Sequence, residues 1–137
     1  MEYLEFVPKA EAIARARKHL RRIGVLTPFF TEASFVQRIR GISDFLGSTE
    51  FELIIYPAKS PQQLNEYLDL FAIPGRLDGL IVLSVRLKSE DQRRLIKTGL
   101  PTVFVEAGFE EFSAVVVDNE RGGWLAADCL ISRGYSF

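Results

Sequence analysis

A chain of 137 residues with 47% hydrophobic side chains has the length of one domain and enough apolar surface to bury a core. Its formal charge of −1 excludes the basic surplus of most dedicated nucleic-acid-binding domains, so any such case must be local. A single cysteine excludes both a disulfide framework and a multi-cysteine zinc site.

Taken in chain order, the first 22 residues differ from the rest. Within residues 9 to 22, Lys9, Arg15, Arg17, Lys18, His19, Arg21 and Arg22 stand against the single acid Glu11 on an alanine-rich, helix-prone background. Two readings are open: a solvated surface helix, or a local contact with DNA phosphates. No apolar core followed by a small-residue cleavage site occurs there, and no later apolar run reaches bilayer length. A soluble, cytoplasmic protein with no membrane contact is therefore expected.

From Ile23 onward apolar strands alternate with amphipathic helices. This rhythm predicts an α/β fold with an open, mainly parallel sheet and helices on both faces. The predicted strands are Ile23–Thr27, Phe51–Tyr56, Gly79–Leu83, Thr102–Val105 and Val115–Val117, the last read as buried. Between the first two, Phe35, Val36, Ile39, Ile42, Phe45 and Leu46 recur at helical spacing, with Gly47 at the exit. Ser60-Pro61 opens a second helix, in which Leu64, Tyr67, Leu68 and Phe71 form the buried face before Pro74-Gly75. A third helix follows Ser89. A fourth follows Asp118, where Asp118 or Asn119 can cap the free N–H groups and Gly122-Gly123 leave room for close backbone approach. Cys129, inside that helix, reads as a small buried hydrophobe. The chain stops at Gly134–Phe137, where another strand of an alternating fold is expected, so the sequence reads as cut.

In open α/β sheets ligands bind beyond the carboxyl ends of the strands, which makes Thr27 to Phe30, Pro57 to Lys59, Ser84 to Arg86 and Glu106 to Gly108 the candidate segments. Phe29 and Phe30 offer an apolar wall, and Ser84 and Glu106 can fix hydroxyls or an amine of a small polar ligand. Phe29, Phe30 and Phe35 equally suit a core or an interface. Glu106 has little structural reason to follow a buried strand directly. No nucleophile stands near a base, and no Gly-rich phosphate loop follows the first strand, so no catalytic residue, cofactor or metal is assigned.

The segments IGVLTPFF, RLDGLIVLS, GLPTVFVE and VVVDNERGGWLAAD, in that order and spacing, resemble the first subdomain of the effector-binding core of the LacI/GalR family of bacterial transcription regulators. VDNERGG is the most specific of these motifs. The resemblance covers nearly the whole chain. It implies one lobe of a type I periplasmic-binding-protein-like fold at residues 23–137, preceded by a headpiece end and hinge at residues 1–22. Leu4-Glu5-Phe6-Val7-Pro8-Lys9 is similar to the family's junction of headpiece and hinge, departing from it at Glu5, Phe6 and Lys9. By this resemblance Pro8, Lys9, Ala12 and Arg15 are the hinge residues toward the DNA minor groove. Arg15 replaces the leucine that wedges open a base step, so apolar kinking is not expected. The resemblance also places effector contacts at Phe29, Phe30, Ser34, Phe35, Lys59, Ser84 and Glu106. The implied partners are a small effector such as a sugar or related metabolite, operator DNA through a headpiece absent from this chain, and a second copy in a homodimer. The alternative is a lobe of a sugar- or solute-binding protein of the same fold. A flavodoxin-like module has a similar rhythm but lacks support at the first strand end.

Overall fold

The structure is a computed structural model and describes residues 21–28 and 31–134. Five parallel strands form one sheet in the order β2-β1-β3-β4-β5: β1 Arg21–Thr27, β2 Phe51–Pro57, β3 Gly79–Leu83, β4 Thr102–Val105 and β5 Ser113–Val115. Four helices accompany them: α1 Ala33–Leu46, α2 Pro61–Phe71, α3 Ser89–Thr98 and α4 Asn119–Ser132. Parallel strands need crossovers, and three of the four helices begin on a local capping contact, whereas α1 starts after Glu32 with no side-chain cap. Ser60 caps α2 by accepting a hydrogen bond from the Gln63 amide at 3.1 Å, with Pro61 in its first turn. Asp91 in α3 accepts from the Lys88 amide, and Gly99 ends that helix with a φ of 68°, a conformation that glycine adopts without a Cβ penalty.

The pleat sends successive side chains to opposite faces and so builds two cores. On one face Leu26, Tyr56, Leu80, Val82 and Phe104 meet Leu68 and Phe71 of α2 and Leu95 of α3. Tyr56 stands edge-on to Tyr67 and Phe71, and Phe104 packs against Phe109 and Phe112 of the loop after β4. Arg94 of α3 donates to Asn65 at 2.6 Å and to Asp69, tying the two helices on this face together. On the other face Val25 and Leu83 meet Phe35 of α1, with Ile39, Ile42, Leu53, Ile81 and Val105 packed around them. Here α1 is the sole helical cover among the described residues, and Phe45 at its far end is 75% exposed.

Three expectations about the last unit need correction. The fifth strand lies at Ser113–Val115, two residues earlier than predicted, and Val115, Val116 and Val117 are all exposed. β-branched residues signalled a buried strand, but at this sheet edge no helix among the described residues covers them. Cys129 is exposed, because no residue of α4 is buried. Nothing stands within 4 Å of a Cβ built on Gly122 or Gly123, so neither makes a close backbone approach. Asp118 does cap α4, accepting from the Arg121 amide at 2.9 Å.

Candidate functional site

The strand order reverses at β1, whose neighbours β2 and β3 lead to opposite halves of the sheet, and the carboxyl edge of β1, β3 and β4 forms the candidate site. Ser84 and Glu106 are the first residues beyond β3 and β4, and both have left-handed backbones, with φ of 55° and 67°. Side chains with a Cβ rarely adopt this region, and where they do the surroundings must hold them there. The surroundings here are the adjacent strands: the Ser84 amide donates to the Val105 carbonyl at 3.2 Å, and the Glu106 amide to the Val115 carbonyl at 2.9 Å.

Holding the backbone this way turns the two side chains toward each other. Ser84 Oγ donates to Glu106 Oε2 at 2.7 Å, and Arg38 of α1 donates through Nη2 to Glu106 Oε1. Both carboxylate oxygens are therefore engaged, one by a hydroxyl and one by a guanidinium. The Arg38 and Glu106 side chains are 30% and 34% exposed, so water screens the pair and its contribution to stability is at most about 1 kcal/mol. The same exposure leaves donors and acceptors open to a ligand. Arg38 also lies over the Phe35 ring, 5.5 Å from its centroid.

The predicted site residues divide into groups. Ser84 and Glu106 come together as a hydrogen-bonded pair. Phe35 is buried beneath α1 against Val25 and Leu83, and reaches the edge through Arg38. Ser34 is exposed in the first turn of α1. Lys59 lies elsewhere: it is exposed after β2 and lines a 430 Å³ cavity with Ser60, Asn65, Val85 and Arg86, a lining that includes neither Ser84 nor Glu106. Phe29, Phe30, Pro8, Lys9, Ala12 and Arg15 fall outside the described residues. Sequence reasoning missed Arg38. Its signal was present, since a cation three residues after Phe35 shares that residue's helix face. Among the described residues no group of His, Cys, Asp and Glu is arranged to hold a metal ion, and no helix is long and apolar enough to cross a membrane.

This edge defines a class by its fold: an open parallel α/β lobe with polar groups at its strand ends, where such sheets place their ligands. Comparison with known proteins narrows the class. No family model matches the chain. It is 24% identical over 137 residues to catabolite control protein A of Priestia megaterium, covering 98% of this chain and 41% of that protein. It is 29% identical over 140 residues to the transcriptional repressor PurR of Vibrio atlanticus, covering 99% of this chain and 42% of the repressor. The chain thus spans about two fifths of the length of the curated relatives it matches. Among solved structures it is similar to the regulator CcpA of Lactococcus lactis, with a TM-score of 0.72, 19% identity, and coverage of 85% of this chain and 44% of that one. It is also similar to a LacI-family CcpA from Weissella paramesenteroides solved with bound glucose, with a TM-score of 0.73, 20% identity, and coverage of 83% and 43%. The homologues of this chain are LacI-family transcription regulators and repressors, not enzymes, and its fold is that of their effector-binding domains.

Proposed function

We propose that this chain forms the amino-terminal lobe of the effector-binding core of a cytoplasmic, dimeric LacI/GalR-type regulator, a repressor that binds operator DNA and responds to a small polyhydroxylated effector such as a sugar. The observation that carries the reading is the Glu106 carboxylate at the strand ends, flanked by Ser84 and Arg38 and partly open to water. A hydroxyl group both donates and accepts, so a sugar hydroxyl can donate to a Glu106 oxygen and accept from Arg38 or Ser84 while the Arg38–Glu106 ion pair stays in place. The glucose in the Weissella regulator supports this effector class, and the names of the relatives favour a regulator over a solute-binding lobe. Ser34 and Phe35, in the first turn of α1, are proposed members of the same site, as are Phe29 and Phe30, which fall outside the described residues. Lys59, in its own cavity, is the outlying member of the set.

The proposed mechanism is linkage. An effector that prefers one arrangement of the lobes shifts the spacing of the hinges, and DNA affinity changes by the same free energy. Residues 1–22 supply the hinge, with Pro8, Lys9, Ala12 and Arg15 at the DNA. Without a headpiece, the basic segment gives weak, salt-sensitive and sequence-independent binding, since phosphate contacts carry no base readout.

The test uses a chimera in which this chain replaces the corresponding segment of the Weissella regulator, with glucose binding read by calorimetry and DNA affinity titrated with and without glucose. Glu106→Ala is expected to weaken the effector response while DNA affinity without effector stays unchanged. An unchanged effector response removes Glu106 from the site. For the isolated chain, calorimetry is expected to show sugar binding no tighter than about 1 mM, on the order of −4 kcal/mol, because an open edge neither encloses its ligand nor excludes water.

A further inference from the structure

At the strand-end site Arg38 and Glu106 are partly engaged with each other, and what each has left over decides which ligand groups fit. Glu106 accepts from Arg38 through Oε1 and from Ser84 Oγ through Oε2, the latter at 2.7 Å. Each carboxylate oxygen keeps a lone pair for one further donor. Ser84 has given its hydroxyl proton to Glu106, so its oxygen is left as an acceptor. Arg38 spends one N–H of Nη2 on Glu106, and its remaining guanidinium N–H groups donate to no acceptor among the described residues. A guanidinium can neither accept nor lose a proton, so these groups require an acceptor from the ligand. Donors and acceptors thus stand side by side, and the two formal charges cancel.

The helix holds Arg38 in that role. Arg38 lies three residues after Phe35 on the same face of α1, and its guanidinium stands over the Phe35 ring, 5.5 Å from the centroid. The ring is itself packed against Val25 and Leu83, so the cation rests on a fixed support.

Three kinds of ligand group fare differently beside such a pair. A hydroxyl donates to Glu106 and accepts from Arg38, and so satisfies both. An ammonium group only donates. Its attraction to Glu106 is offset by repulsion from Arg38, it leaves the Arg38 N–H groups without an acceptor, and it still gives up its own hydration. A carboxylate meets the converse, suited to Arg38 and repelled by Glu106. On residue type alone Ser84 and Glu106 suit a hydroxyl or an amine, and an unpaired Glu106 would favour the amine.

We infer, on the effector reading proposed above, that Arg38 is the specificity-determining residue of this site: by neutralising Glu106 and presenting donors beside it, Arg38 selects uncharged, hydroxyl-bearing effectors and rejects an amine at that position.

The test uses the same chimera with the Weissella regulator and calorimetry with two kinds of ligand. One is glucose. The other is a set of monoamino-glucoses, as ammonium salts, that differ in which hydroxyl is replaced, so that the set brings an amine to Glu106 whatever the pose. With Arg38→Gln, at least one amino-glucose is expected to gain about tenfold in affinity relative to glucose. Adding Glu106→Gln is expected to cancel that gain, and Arg38→Lys, which keeps the cation, to show none. A merely structural role for Arg38 weakens all ligands alike and leaves their ratios unchanged. Arg38→Ala repeats the comparison with a second neutral side chain. Unchanged ratios in both neutral variants, loss of all binding by both, or a gain that survives Glu106→Gln overturns the inference while glucose binding by the unaltered chimera upholds the effector reading. A chimera that binds no glucose at all removes the effector reading, and the role of Arg38 with it.

Discussion

Ser84 and Glu106 occupy the same position on neighbouring strands, one residue past β3 and β4, and the left-handed backbone of each carries its side chain into a shared 2.7 Å hydrogen bond. Interstrand hydrogen bonds from both amides hold this geometry, so the sheet itself sustains the strain. A left-handed residue with a Cβ costs roughly 1–2 kcal/mol relative to glycine. At either position the glycine variant is therefore expected to be more stable than the alanine variant by about 1 kcal/mol, the reverse of the order in an ordinary strand. Urea unfolding of Ser84→Gly against Ser84→Ala measures it, and an alanine variant of equal or greater stability would show that the backbone relaxes in solution.

Tyr56 presents the opposite case, a polar atom with no visible use. Its ring packs tightly in the core, yet its hydroxyl is buried with no hydrogen-bond partner among the described residues. Tyr56→Phe keeps the ring and removes the unpaired group, and is expected to raise stability by about 1 kcal/mol. A loss of that size in thermal unfolding would mean that the hydroxyl has a partner outside the described residues.

Two glycines should respond in opposite directions. A Cβ on Gly24 would stand 2.6 Å from Leu77 Cδ1 and 3.1 Å from Tyr56, both of them buried, so Gly24→Ala is expected to cost about 1–3 kcal/mol. At Gly41, within α1 and with open space around it, Gly41→Ala is expected to stabilise by about 0.5–1 kcal/mol. Denaturant midpoints for the pair decide the matter, and a matching sign for both would contradict the packing described.

Capping should separate the supported helices from the unsupported one. Ser60 caps α2, which buries Leu68 and Phe71, so Ser60→Ala is expected to lower global stability by about 1 kcal/mol. Asp118 caps α4, which buries nothing, and a 14-residue helix without packing is marginal in water. At concentrations where the chain is monomeric, Asp118→Ala is expected to reduce helical ellipticity while leaving the global unfolding midpoint unchanged. Hydrogen exchange should locate the loss in residues 119–132; a shifted midpoint would indicate that α4 packs on its own lobe.

Much of the fold could be read from local patterns. The runs at Ile23–Thr27 and Gly79–Leu83 are apolar on both sides because both faces of a central parallel strand carry side chains into a core, and the structure places strands there. Ser60-Pro61 announced α2 because capping depends on residues three positions apart. Half of the site was legible for a similar reason: a serine and an acid directly after buried strands stand at the ligand edge of any such sheet. Phe109 and Phe112 show where this reading stops. They lie in a loop without periodicity and join the core only because Phe104 comes within about 5 Å of both rings.

By itself, the sequence determined what is local: the strand and helix rhythm, the caps at Ser60 and Asp118, and the parallel α/β class. Tertiary structure alone decided which side chains that rhythm brings together. Arg38 lies 68 positions from Glu106, and no local pattern encodes a pairing that depends on how α1 packs on the sheet. The burial of the last unit was likewise undetermined, since Val115–Val117 and α4 have the composition of interior segments and yet stand exposed. Apolar composition expresses a need for cover, and only the packing of other elements decides whether that need is met.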